Sequence, residues 1–231
     1  MEFGDEVEFT YVMGGLAREY EPTGGGKRVV EWLRRAEESG MPFDPLIWEE
    51  GPIRSTYPAC MAVKAAAEQG RAGDYLRVLR EGLMCLRRKL DTREALVEEA
   101  RRAGLDLERF RIDLASHAIV EAFGTDLEEA RALPEGMGMP ALRFGDDAWL
   151  SVPKPYPAYR ERAVNLGAQP SGAEPPGVLE ALARFGRMAT VEVEAVCELP
   201  GPRAQAVLWA LAADWKVRPT QVLTGWLWES A

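Results

Sequence analysis

The sequence predicts an α/β protein in which short β-rich stretches flank a long helical segment and a small helical tail closes the chain. Three observations lead there. In "EVEFTYVM" apolar and polar residues alternate, with β-branched and aromatic types throughout, so Val7 to Met13 reads as a strand ended by Gly14 and Gly15. From Ser55 to about Ala132 the period is helical and no strand pattern interrupts it. At "MPALRFGDDAWLSV" the period returns to two, giving strands Ala141 to Phe144 and Ala148 to Val152 around a tight Gly-Asp-Asp turn.

Each element has its local signals. "EYEPTGGGKRVVEWLRRAEESG" is a glycine loop followed by a helix that stops at Gly40. The "GGGK" at Gly24 to Lys27 lacks the spacing and the Ser/Thr of a phosphate-binding loop and reads as a plain loop. "STYPACMAVKAAAEQG" opens on hydroxyl residues and a first-turn proline and ends at Gly70. "GDYLRVLREGLMCLRRK" sets Tyr75, Leu76, Leu79, Leu83 and Leu86 on one face. Asp91 with Glu94, and Thr125 with Glu128, have the spacing of capping boxes and predict two further helix starts. "YPAYRERAVNLGA" returns to helix after the hairpin, and Gln169 to Gly177, dense in proline and glycine, reads as a linker.

The tail runs helix, helix, Pro-Gly-Pro turn, longer helix and β-like ending, the outline of a helix-turn-helix or winged-helix module. Its charges argue against DNA. Arg184, Arg187, Arg203, Lys216 and Arg218 face Glu174, Glu180, Glu192, Glu194, Glu198, Asp214 and Glu229, which leaves no basic face. The whole chain repeats the balance: 28 basic against 37 acidic residues and a net charge of -9 disfavour phosphate backbones and anionic membranes. No span-length apolar run and no leader pattern is present, so a cytoplasmic protein is expected.

Catalytic side chains are sparse. Cys60, Cys85 and Cys197 are far apart and form no CxxC pair, and with His117 the single histidine a Cys/His metal site is not expected. His117, within "DLASHAIVEAF", reads as an ordinary helix residue rather than a triad member. Cys60 is the one weak catalytic candidate. It sits in the first turns of a helix with Arg54 and Lys64 near in sequence, although its apolar neighbours favour core packing. Cys85 and Cys197 read as core.

"STYPACMAVKAAAEQG", "YLRVLREGLM", "LVEEARRAGLDLERF" and "GMPALRF" resemble the DsbA-like thioredoxin-fold family, closest to its cytoplasmic FrnE-like and ClpXP-adaptor-like branches. The resemblance runs from about Val7 to Gly167. It implies a thioredoxin-like core, incomplete here, from residues 1–50 and 133–168. It further implies a helical insertion at 51–132; the linker at 169–177 and the winged-helix-like module at 178–231 lie outside it and rest on their own sequence pattern. It also implies that a first strand and a CxxC-bearing helix belong before Val7, roughly 30–40 residues at ordinary element lengths, so that a late start or a degenerate member is expected. Met139 and Pro140 would then be substrate-binding, with Pro140 cis and the Met139 backbone open to an extended peptide.

Three functions follow from the resemblance. The first is a thiol-disulfide oxidoreductase or isomerase acting through a mixed disulfide, its redox pair lying outside this chain. The second is a non-catalytic adaptor that holds a protein partner. The third is a glutathione-using relative of the hydroxychromene-carboxylate isomerase type, which makes glutathione the one cofactor to consider. Expected partners are thiol-bearing proteins. A second copy of the chain is another, because Trp209, Trp215, Trp226 and Trp228 put much apolar area into the tail.

Overall fold

The computed structural model describes residues 2–21, 24–146 and 148–231. They form two compact units. A helical unit takes Thr10–Trp32 and Asp44–Met139; a C-terminal unit takes Met1–Phe9, Leu33–Phe43 and Pro140–Ala231.

The chain begins with a single 3-10 turn, Gly4–Glu6, and then α1 spans Gly25–Ser39, closed by Gly40 at φ +68. α2 (Ile47–Glu50) is one turn that buries Ile47 and Trp48, and Trp48 packs edge-on against Tyr20 and Trp32. α3 (Tyr57–Ala67) is the hub of the helical unit, in contact with the helices α4 (Ala72–Arg80), α5 (Arg93–Arg102), α6 (Leu107–Leu114) and α7 (His117–Arg131). Its composition explains the role: Ala62, Ala65 and Ala66 are fully buried, and so small a surface lets four helices approach one axis. Around it, Tyr75, Leu96, Phe110, Ile119 and Phe123 fill the core. The buried Tyr75 hydroxyl donates to the Leu96 carbonyl at 2.9 Å, so its polar atom costs little.

Between α4 and α5 lies a π-helical turn, Glu81–Cys85, which buries Cys85. Arg88 then reaches back to Glu99, which is 1% exposed and also accepts from Arg102 at 2.7 Å.

Two expected helix starts move. Thr92, not Asp91, caps α5, accepting from the Ala95 N–H; Asp91 instead accepts from the Arg54 N–H at 2.7 Å. α7 starts after Ser116 and runs unbroken to Arg131, so Thr125 caps nothing. Its hydroxyl donates to the Glu121 carbonyl one turn back, which satisfies it inside a continuous helix.

The expected strand at Val7 to Met13 is corrected. Those residues belong to no sheet, although Val7 is extended at φ -123, ψ 115. A strand needs a neighbour, and the described residues offer this segment none. Single contacts hold the region instead: the Met13 N–H donates to Asp126, and the Ala17 N–H to the Thr56 hydroxyl.

In the C-terminal unit, β1 (Ala141–Phe144) and β2 (Ala148–Ser151) form an antiparallel hairpin with Phe144 paired to Ala148, the second strand ending one residue before the expected Val152. Asp147 of its turn lies outside the described residues, as do Pro22 and Thr23 of the glycine loop. The cis peptide is Val152–Pro153, not the bond before Pro140. α8 (Tyr156–Asn165) carries Tyr156 and Arg160, both hydrogen-bonded to the Glu2 carboxylate; these bonds, Tyr156 first, hold that carboxyl below its ordinary pKa.

The remainder runs α9 (Val178–Phe185), β3 (Met188–Ala189), α10 (Thr190–Val196), α11 (Gly201–Ala213), β4 (Val217–Val222) and β5 (Gly225–Ser230). The sheet order is β3-β5-β4, antiparallel throughout. Trp228 is wholly buried on the central strand, among Leu182, Met188, Val193 and Leu208. Its indole N–H donates to the Thr190 hydroxyl at 2.8 Å. None of the described helices is long and apolar enough to cross a membrane.

Candidate functional site

Two of the residues singled out from the sequence, Cys60 and Met139, meet on one short segment of the helical unit, Met13 to Gly15. Gly15 adopts φ +56, and a Cβ there would lie 2.6 Å from Leu127, 2.9 Å from Tyr57 and 3.1 Å from Phe123. Both the left-handed backbone and the crowding require glycine. Tyr57 of α3 and Phe123 of α7 meet edge to face at 4.9 Å and form the floor beneath it. The Met139 thioether sits where a Cβ on Gly14 would be, so this side chain lies on the same segment from above. It is 37% exposed, and neighbouring Leu16 is 69% exposed.

Beneath the glycines lies a buried ion pair. The Asp126 carboxylate on α7 accepts from the Lys64 ammonium on α3 at 2.9 Å and from the Met13 N–H at 2.8 Å. Asp126 is 6% exposed. Three elements are thus tied by one carboxylate, and each of its bonds is charge-assisted. Sequence reasoning did not single out this pair. A lysine interrupting the alanine-rich "MAVKAAA" face was the one available signal.

Cys60 of α3 faces the same place. Burial pushes its thiol pKa up to about 11; the Gly15 N–H works against this, and the Asp126 carboxylate adds to it. A thiol so placed stays protonated at neutral pH and is a poor nucleophile. Lys64 does not activate it, being committed to Asp126, and neither Lys64 nor Arg54 is among the groups that shift this thiol. Cys85 and Cys197 are buried thiols, and burial raises the Cys197 thiol pKa as well. Pro140 is exposed; its carbonyl accepts from the Val152 N–H at 3.4 Å, and it leads into β1. His117 is exposed at the first position of α7.

The C-terminal unit has its own concavity, about 430 Å³, lined by residues such as Pro42, Thr190, Gln205, Thr224 and Trp226. Thr224 is fixed by the Phe43 N–H, which donates to its hydroxyl at 2.7 Å. The lining is uncharged and mixes polar side chains with Pro42, Val222, Leu223 and Trp226.

The arrangement in the helical unit is therefore a rigid helical scaffold with a glycine-bearing segment pinned across it, and it holds no activated thiol. Comparison with known sequences agrees with the scaffold: the chain belongs to the thioredoxin family, whose profile, described as "Thioredoxin", matches residues 1–145. Within that family its likeness is to the ClpXP-adaptor branch. The chain is 31% identical over 210 residues to the ClpXP adapter protein SpxH of Bacillus subtilis, covering 86% of this chain and 70% of the relative. To the protein of the same name in Halalkalibacterium halodurans it is 29% identical, covering 85% and 67%. To that of Shouchella clausii it is 28% identical, covering 99% and 80%.

Proposed function

We propose that this protein is a non-catalytic adaptor that holds a client protein and delivers it to the ClpXP protease. The observation that carries this reading is the likeness, across most of the chain, to proteins named as ClpXP adapters. The state of Cys60 supports it: a half-buried thiol whose pKa is raised to about 11 cannot serve as the nucleophile of disulfide exchange at neutral pH. The oxidoreductase reading has no comparable support.

On this reading α3 to α7 form a helical insertion that serves as the body of the adaptor. The unit α9-β3-α10-α11-β4-β5 has the element order of a winged helix and acts as a protein-interaction module rather than a DNA reader. The protein works in the cytoplasm, where an adaptor meets its protease, and it binds clients through exposed apolar side chains such as Leu16 and Met139.

A reconstituted degradation assay tests it. A client captured by the full chain, mixed with ClpX, ClpP and ATP, is degraded faster when the chain is added. Unchanged degradation together with catalysed insulin reduction by the chain overturns the reading.

A further inference from the structure

We propose that α11 pairs antiparallel with α11 of a second copy of this chain. Along the helix, Pro202, Gln205, Ala206, Trp209, Ala210 and Ala213 are all exposed, and none is charged. At about 100° per residue they share one face. A surface helix that covers no partner carries charge there, and in a chain with net charge -9 the omission is selective. Trp209 is 40% exposed at the centre of the face, its ring held edge-on at 5.0 Å by both Trp226 and Trp228. It is a rigid, half-covered aromatic of the kind that anchors interfaces.

Charge at the margin of the face selects a second copy as the occupant. Arg203 and Asp214 are both exposed. They lie eleven positions apart, which returns them to within about 20° of each other on the helix. A twofold axis passing between Leu208 and Trp209 therefore sets Arg203 of each copy opposite Asp214 of the other. Both ends of the pair become complementary, as a self-matching interface requires. Ala206, Ala210 and Ala213 keep the helices close.

The face is small. Thirteen residues span about 20 Å, so the buried area falls below the roughly 800 Å² per partner of a standard interface and the dimer is weak, with Kd in the tens of micromolar.

Sedimentation equilibrium of the full chain from about 2 to about 200 μM, a range bracketing that Kd, tests this. The wild-type chain passes from monomer to dimer. Arg203→Glu weakens association at least about tenfold, and Arg203→Glu combined with Asp214→Arg restores it to within about threefold. Ala206→Arg abolishes it. Far-UV circular dichroism confirms that each variant is folded. A chain that stays monomeric throughout overturns the proposal. So does a dimer indifferent to Ala206→Arg, or a charge swap that fails to restore what Arg203→Glu removes.

Discussion

The two units solve the same problem, packing short helices into a core, with different chemistry. The helical unit buries charge: Asp44, Glu99 and Asp126 all belong to it, and they are the buried carboxylates among the described residues. The C-terminal unit buries a tryptophan and aliphatic side chains around it, and one of its ion pairs, Arg187–Glu229, sits at the margin, each side chain 26% exposed. Buried ion pairs contribute little net stability over apolar packing but are costly to break, and they reject packings that leave a charge alone. The helical unit is built mostly of alanine, leucine and valine at similar spacings, so several helix registers could satisfy its apolar faces. Lys64 to Asp126, and Arg88 and Arg102 to Glu99, allow only one. The C-terminal unit needs no such device, because only one site fits Trp228.

The largest effect is expected from Trp228→Ala. It removes a fully buried ring and leaves the Thr190 hydroxyl without its donor, and costs about 4 kcal/mol. Urea unfolding measures the total, and hydrogen exchange read by mass spectrometry assigns it: the loss of protection should fall on 178–231. Trp228→Phe keeps most of the packing and costs less. Equal losses from the two variants would mean that the hydrogen bond, not the volume, dominates.

Asp126→Ala comes next, at about 3 kcal/mol, because it strands a largely buried ammonium and the Met13 N–H together. The informative comparison is with the double variant Asp126→Leu, Lys64→Met. If the pair serves specificity rather than stability, the double variant recovers most of the lost midpoint but broadens the transition or lowers protection in α3 and α7. Full recovery with unchanged cooperativity would show that apolar packing suffices there too, and the contrast between the units would fall.

Gly15→Ala is smaller, about 2 kcal/mol, combining the left-handed backbone with a Cβ pressed against Leu127 and Tyr57. Its use is functional. It displaces the Met13–Gly15 segment without touching the ion pair's own side chains, so a fall in client binding that exceeds the fall in stability would place the client surface at this segment.

These residues also mark what the sequence disclosed. Periodicity found the helical stretch, the hairpin from Ala141 and the tail's three helices, because each is fixed by local pattern; it missed the strand Met188–Ala189, whose partner lies forty residues on at Trp228. It failed at Val7 to Met13, where an alternating pattern lacks a partner strand; pairing is a non-local fact that no local pattern carries. It placed a helix start at Thr125 because a capping box and a satisfied mid-helix threonine look alike over four residues. Asp126 could not be recognised as buried, since its partners Lys64 and Met13 are 62 and 113 positions away. Cys60 packs against the helical core, and the Gly15 N–H that faces it was invisible in sequence.

Cys60 supplies the smallest effect and a pH-resolved one. Its thiol titrates near pH 9 when unfolded and is raised to about 11 in the fold, so the folded state holds its proton more tightly. The sign follows directly. Below pH 9 both states are protonated and the stability associated with this group is fully present; as pH rises from 9 toward 11 the unfolded state gains by ionising and stability falls. Cys60→Ala should therefore shift the urea midpoint little at pH 7, by less than about 1 kcal/mol for so small a change in volume, and the gap should narrow or reverse by pH 11. Groups raised by burial that do not couple to this thiol, Tyr75 among them, affect both proteins alike and cancel in the difference, whereas Tyr20 is raised in part by Cys60 itself and adds to it. A gap that stays constant from pH 7 to 11 would mean that Cys60 ionises freely in the fold, and a thiol free to ionise would reopen the redox chemistry that its burial now argues against.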